Sequence, residues 1–129
     1  MPAVGIQAPA TYSETTGDGL PAFLKAHGLP LVVKPRRSVF WNRGEYGDRG
    51  IQISASFATS AENLLSQCAV TLSQTGKFPL VQEYVPGEEA SVQFLCDRGA
   101  VLVASANRRL RSVNPVGGPG ALKETIPLS

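Results

Sequence analysis

Histidine occurs once in 129 residues, methionine and tryptophan once each, and cysteine twice. His27 is the lone imidazole, so no histidine-dependent triad exists without it. Its place before Gly28, at the end of a predicted short helix, suits a surface C-terminal cap better than a catalytic base. Cys68 and Cys96 lie in apolar patterns without a C-x-x-C pair, so both read as reduced core residues of a cytosolic protein. No metal site follows from them. The ten acidic residues offer no pair at metal-ligand or glycosidase spacing except Glu88 and Glu89, and neighbours on a strand point to opposite faces. No apolar run approaches the roughly 18 residues of a spanning helix, and the opening MPAVGIQAPATYSE has neither the basic nor the hydrophobic region of a secretory signal. These absences predict a soluble, cytoplasmic chain with no membrane partner.

Basic residues exceed acidic ones by only 12 to 10, for a net charge of +2. That excess is too mild for a nucleic-acid coat, and no nucleic-acid partner is predicted. Distribution says more than the total. Arg36, Arg37, Arg43 and Arg49 fall in one stretch and Arg98, Arg108, Arg109 and Arg111 in another, two patches suited to local anion binding. Apolar residues make up 43% of the chain, enough for a packed core. Thirteen glycines and ten prolines imply many turns and a loop-rich α+β or all-β layout. The length is below one typical domain, which leaves a single core or an incomplete piece of a larger protein.

Along the chain, Asp18 precedes Leu20, Phe23 and Leu24 at helical spacing, and Gly28 is placed as a stop. Leu31-Val32-Val33-Lys34 is a continuous apolar run before Pro35 and reads as a buried strand with Lys34 at its end. Residues 35–50 carry no helical period and read as a long loop or a hairpin, with Phe40 and Trp41 packing within it. Ile51 to Ala55 alternates as a half-buried strand. Thr59 and Glu62 form a predicted capping box, followed by an apolar stripe of Ala61, Leu64, Leu65, Cys68 and Leu72 and a C-terminal cap at Gly76. Leu80 to Tyr84 is a second buried-type strand. Ser91 to Cys96 and Ala100 to Asn107 form a predicted hairpin around Asp97-Arg98-Gly99. From Arg108 the pattern breaks into Pro/Gly-rich sequence, where only Ala121 to Ile126 supports a turn of helix.

Two stretches carry candidate chemistry. In the first, Lys34 ends an apolar strand and Gly47-Asp48-Arg49-Gly50 closes the loop after it. Glycines let backbone N–H groups approach phosphate oxygens, and a strand-anchored lysine adds a fixed cation; the plainer alternative is a hairpin with an edge lysine. In the second, Val81-Gln82-Glu83-Tyr84-Val85-Pro86-Gly87-Glu88-Glu89 runs a strand into a Pro-Gly break. The Glu83 C=O and Val85 N–H can accept from and donate to an adenine ring, and Glu89 can accept from ribose hydroxyls. The alternative there is a strand, a turn and two solvated acids.

These segments in this order, LPLVVKP, YGDRGI, a capped helix and LVQEYVPGEEASV, resemble the nucleotide-binding part of the ATP-grasp superfamily. The nearest likeness is to its carbamoyl-phosphate-synthase-like members, over residues 29 to 126. The resemblance implies ATP as ligand, with Lys34 on its phosphates and Gly47, Arg49 and Gly50 in a flap over them. It further implies Glu83 and Val85 on adenine, Tyr84 flanking that hinge, and Glu89 on ribose. Arg109 and Arg111, with Arg108, leave the last strand as candidates to neutralise the γ-phosphate or an acyl phosphate, and Gly117-Gly118-Pro119-Gly120 resembles the glycine-rich substrate loop. The family holds Mg2+ with later acidic and Asn ligands, so the reading is of an inactive fragment whose parent takes Mg2+ and a small-molecule carboxylate. The implied fold is α+β, a mostly antiparallel sheet with one main helix. Its expected division is a lead-in with a short helix over 1–28, a first subdomain over 29–85, and a hinge with an incomplete second subdomain over 86–129. A noncatalytic module that binds a protein or a polyanion is the rival reading.

Overall fold

An uninterrupted apolar run is stable only where both of its faces are covered or nearly so, and Leu31–Lys34 forms a strand, β2, inside a sheet. Leu31, Val32 and Val33 are buried and Lys34 is exposed. The computed structural model describes residues 5, 7–44, 47–113 and 120–128, and gives the backbone alone at 40–44, 47–49 and 51. The described chain is α+β with antiparallel strand pairing, and it divides into two compact units, Met1–Val85 and Pro86–Ser129.

The first unit contains β1 (Thr11–Tyr12), α1 (Leu20–His27), β2, a hairpin of β3 (Val39–Gly44) and β4 (Gly47–Gln52), β5 (Ser56–Ala58), α2 (Ala61–Thr75) and β6 (Leu80–Glu83). Four strands pair in the order β1-β6-β2-β5, and β3 pairs with β4 alone. In the central pair Leu31 lies opposite Glu83, Val33 opposite Val81 and Lys34 opposite Leu80. Side chains alternate along a strand, so Leu31, Val33, Val81, Ala58 and Tyr12 share one face, where Leu20, Leu64 and Cys68 of the two helices close the core. Arg36 ties this unit together by donating to three carbonyls: Nε to Phe78 at 2.8 Å, and Nη2 to Ser13 and Glu14 at 2.7 Å each.

Several sequence expectations shift at this level. The stretch 35–50 takes its hairpin form, with Trp41 opposite Gly50 and Gly44 opposite Gly47; residues 45 and 46 lie outside the described residues. Ile51 to Ala55 is not one strand. Ile51 and Gln52 finish β4, and a separate strand, β5, begins at Ser56 to pair with β2. Asp18 does not cap α1, because Gly19 takes the cap position and the Asp18 carboxylate accepts instead from the Thr16 hydroxyl. The cap of α2 moves one residue along, to Ser60, whose Oγ accepts from the Asn63 N–H at 3.1 Å. Serine in place of threonine loses nothing, since either hydroxyl can fill the role.

The buried line of α2 is Leu64, Cys68 and Thr71, while Leu65 and Leu72 are exposed. Thr71 takes the inward position because, seven residues after Leu64, it falls about 20° short of two full turns, whereas Leu72 falls about 80° past them. Gly76 stops α2 as expected, in a left-handed conformation with its N–H on the Leu72 carbonyl. Gln67 bridges the same helix to β5, donating to the Phe57 carbonyl and accepting from the Ser56 hydroxyl.

The second unit is a three-stranded sheet of β7 (Ala90–Asp97), β8 (Ala100–Ser112) and β9 (Gly120–Ile126), with β8 central. Arg98 and Gly99 both have positive φ, 47° and 87°, and make the tight connection from β7 to β8. Two expectations fail here. The regular pattern does not end at Arg108, since β8 runs on to Ser112, and Ala121 to Ile126 is strand rather than helix. Tertiary pairing explains both: Ala106 faces Ile126, Asn107 faces Thr125, Arg108 faces Glu124 and Arg109 faces Lys123, and after a register shift past Leu110 Arg111 faces Leu122. Cys96 is likewise exposed rather than a core residue.

Two outcomes test this packing. Leu64→Ala lowers unfolding stability by about 2–4 kcal/mol through a core cavity, whereas Leu65→Ala changes it by no more than about 0.5 kcal/mol; urea midpoints at constant m-value report both. Burial pushes the Cys68 thiol up from its ordinary value of 9.0 to about 11. The unfolded chain therefore loses this proton first, and the benefit of burying a neutral thiol is intact below pH 9 and lost as pH rises toward 11. The stability gap between wild type and Cys68→Ala shrinks over that window, measured by denaturant titration at successive pH values.

Candidate functional site

The face of the first unit's sheet away from its helices carries Lys34. Alternation places Val32 and Lys34 of β2, Leu80 and Gln82 of β6, Phe57 of β5 and Thr11 of β1 on that side. The Gln82 amide donates to the Thr11 hydroxyl across it at 2.8 Å. Tyr84, just past the end of β6, meets Phe57 edge-on with ring centroids 5.3 Å apart. One surface thus holds a cation at one strand end and an aromatic pair at the other. The register puts Lys34 three residues from the Glu83 level, about 10 Å along the strand.

Around the Glu83 hinge the geometry is asymmetric. The Glu83 side chain lies on the helix side, where Oε2 is 3.5 Å from His27 Nδ1. His27 also rests on Phe23, with ring centroids 4.4 Å apart. Only the backbone of Glu83 is left for a ligand, which is the role the sequence assigns to it. Its N–H already donates to the Ala10 carbonyl at 3.0 Å. Val85 follows, 62% exposed. Gly47, Arg49 and Gly50 belong to β4, opposite Gly44, Asn42 and Trp41.

The register of the second unit's sheet divides its side chains between two faces, with Leu95 and Val103 on the side of the polar cluster and Arg108 and Glu124 on the other. Ser91 and Gln93 of β7, Ser105, Asn107 and Arg109 of β8, and Lys123 and Thr125 of β9 share one face by register. Gln93 accepts from the Asn107 amide at 2.8 Å across it. Val92 and Phe94 of β7, Ala104 and Ala106 of β8, and Ile126 of β9 share the other. Glu89 and Arg109, assigned separately from the sequence, are partners. Glu89 Oε2 is 2.5 Å from Arg109 Nη1, and the Arg109 N–H donates to the Glu89 carbonyl at 2.8 Å. Glu88 goes to the opposite side with Arg108, whose Nε also donates to Glu124 at 2.7 Å. The Glu124 hydrogen bond, with its charge and that of Glu88, holds the Arg108 guanidinium more firmly protonated.

The arginines are therefore told apart. They lie within β8 rather than leaving it. Arg108 is committed to two carboxylates, Arg109 lies on the polar face, and Arg111 is exposed beside a depression lined by Leu110, Ser112, Val113 and Ala121. Of the glycine-rich stretch 117–120, only Gly120 is among the described residues. Lys34, Glu83, Tyr84 and Val85 belong to the first unit, and Glu89, Arg109 and Arg111 to the second. Among the described residues no cluster of three His, Cys, Asp or Glu side chains could hold a metal ion.

Lys123 was not singled out from sequence, since Ala121 to Ile126 read as helix. Leu122-Lys123-Glu124-Thr125-Ile126 breaks strand alternation at Glu124, so no local signal marks it. No protein-family model, curated protein or solved structure matches this chain.

The Glu89–Arg109 pair makes a direct prediction. A double-mutant cycle of Glu89→Gln and Arg109→Met in urea unfolding yields a coupling of about 0.5–1 kcal/mol, as befits a pair with one well-covered partner. The same cycle for Arg111 and Glu89 yields none.

Proposed function

We propose that this chain is the ATP-binding portion of an ATP-grasp ligase of the carbamoyl-phosphate-synthase-like kind. The observation that carries this reading is the helix-free face of the first unit's sheet, which presents Lys34 and the Tyr84–Val85 hinge at opposite strand ends. Their separation is comparable with the reach from a purine to the phosphates of an extended nucleotide. In this reading Lys34 contacts phosphate oxygens, the Glu83 carbonyl and Val85 N–H take the adenine edge, and Tyr84 flanks the ring. Glu89 accepts from ribose, and Gly47, Arg49 and Gly50 form the flap.

The parent enzyme would use this nucleotide to activate a carboxylate. A carboxylate oxygen attacks the γ-phosphorus and ADP leaves. An amine or similar nucleophile then attacks the acyl carbon, and inorganic phosphate leaves. Arg109 and Arg111 are the groups assigned to the charge that develops on the transferred phosphoryl oxygens, because guanidinium forks match such oxyanions. Mg2+ would supply charge neutralisation at the phosphates.

Calorimetric titration with ATP and Mg2+, alongside inorganic triphosphate, tests the assignment. Lys34→Ala weakens both ligands about tenfold, the loss of roughly one charge-assisted hydrogen bond. Val85→Pro, which deletes the hinge N–H, weakens ATP alone. Equal binding of ATP by wild type, Lys34→Ala and Val85→Pro defeats the reading. Salt-dependent binding of polyanions with no preference for nucleotide would favour a polyanion-binding module instead.

A further inference from the structure

On the polar face of the second unit, Lys123 stands directly across from Arg109. Both side chains lie over Gly120: Lys123 Cε is 2.8 Å and Arg109 Nε 3.3 Å from the point where a Cβ on that glycine would stand. The two basic side chains thus run side by side across the strands and occupy the space over this glycine that a Cβ would contest. Glu89 is the carboxylate paired to Arg109, and no ion pair engages Lys123 among the described residues. Arg109 is held firmly, with its side chain only 17% exposed. Its Nε is buried without a hydrogen-bond partner among the described residues. Asn107 and Thr125 flank the pair on the same face as neutral hydrogen-bonding groups.

Like charges brought together repel, and such an arrangement is favourable when an anion of higher charge sits against it. A single carboxylate leaves one positive charge over. A phosphoryl group carries more charge and three acceptor oxygens, enough for an ammonium and a guanidinium at once. We propose that Lys123 and Arg109 form a phosphoryl-binding site on this sheet face, and that Glu89, by pairing with Arg109, competes with the incoming anion. The site rests on the nucleotide reading only for the source of its phosphoryl group. A ligand that brings ribose hydroxyls to Glu89 engages the competing carboxylate productively, whereas a bare polyphosphate must compete with it. Glu89 in this way gives a nucleotide an advantage over free polyphosphate.

The test is calorimetric titration of the full chain with sodium triphosphate and, separately, with ATP and Mg2+, at fixed ionic strength. Lys123→Met weakens triphosphate about five- to tenfold, and Lys123→Arg stays within about twofold of wild type. Gly120→Ala, whose Cβ displaces the end of Lys123, weakens it in the same direction. Glu89→Gln binds triphosphate more tightly and loses the preference for ATP. An unchanged thermal midpoint in Lys123→Met shows that the fold is intact, as expected for an exposed strand residue. Triphosphate affinity equal to wild type in Lys123→Met, unchanged or weaker affinity in Glu89→Gln, or no binding by the wild type overturns the proposal. If wild type binds ATP and triphosphate alike while Lys123→Met weakens both, the phosphoryl site stands and the adenine assignment falls.

Discussion

The two-residue period of the antiparallel β2–β6 pair is the constraint from which the first unit follows. Because Leu31 and Val33 must face the helices, Val32 and Lys34 must face away, and the facing strand obeys the same rule with Val81 inward and Gln82 outward. A slip of one residue would drive Lys34 into the core beside Leu64 and Cys68, where an unpaired ammonium costs several kcal/mol. Burial of the valines and leucine therefore fixes where the lysine stands. The candidate binding face is a by-product of core packing, and its position is as well determined as the core itself.

The second unit uses the same alternation and contains no helix among its described residues. One face carries Gln93, Ser105, Asn107, Arg109 and Lys123 beside Leu95 and Val103, the other carries Val92, Phe94 and Ile126 beside Arg108 and Glu124, and large apolar side chains stay exposed: Phe94 is 65% accessible and Val92 54%. Charged residues in the middle of β8 are stable because each has a cross-strand or neighbouring partner. Arg108 is matched by Glu124 and Glu88, and Arg109 by Glu89. Opposite charges facing across strands stabilise a sheet modestly, and the two-residue period already sends the adjacent arginines to opposite faces. One arginine joins a cluster with Glu124 and Glu88, and its neighbour pairs with Glu89 on the opposite face.

Much of the first unit is legible in the sequence because its signals are local. The apolar run ending at Lys34, the glycine stop at Gly76 and the Pro-Gly break after Val85 depend on backbone preferences that act within a few residues. The capping position is not encoded locally, since Thr59 and Ser60 are adjacent hydroxyls and only the packed helix chooses between them. The inward line of α2 departs from its apolar stripe: Thr71 is polar, and hydrophobicity alone favours Leu72. Helix geometry ranks position above polarity, because a threonine methyl can be buried while its hydroxyl finds a partner.

The stretch from Arg108 to Ile126 shows the limit. Its prolines, glycines and arginines have no local preference for strand, and β9 exists because β8 offers it a register of complementary partners. By itself the sequence determined which segments carry intrinsic periodicity: the lysine strand, the two helices and the β7–β8 hairpin. The tertiary structure decided that Glu89 meets Arg109, that Lys123 joins them over Gly120, and that Arg108 is occupied elsewhere. Such meetings depend on cross-strand register, a relation between residues far apart in the chain that no local preference encodes.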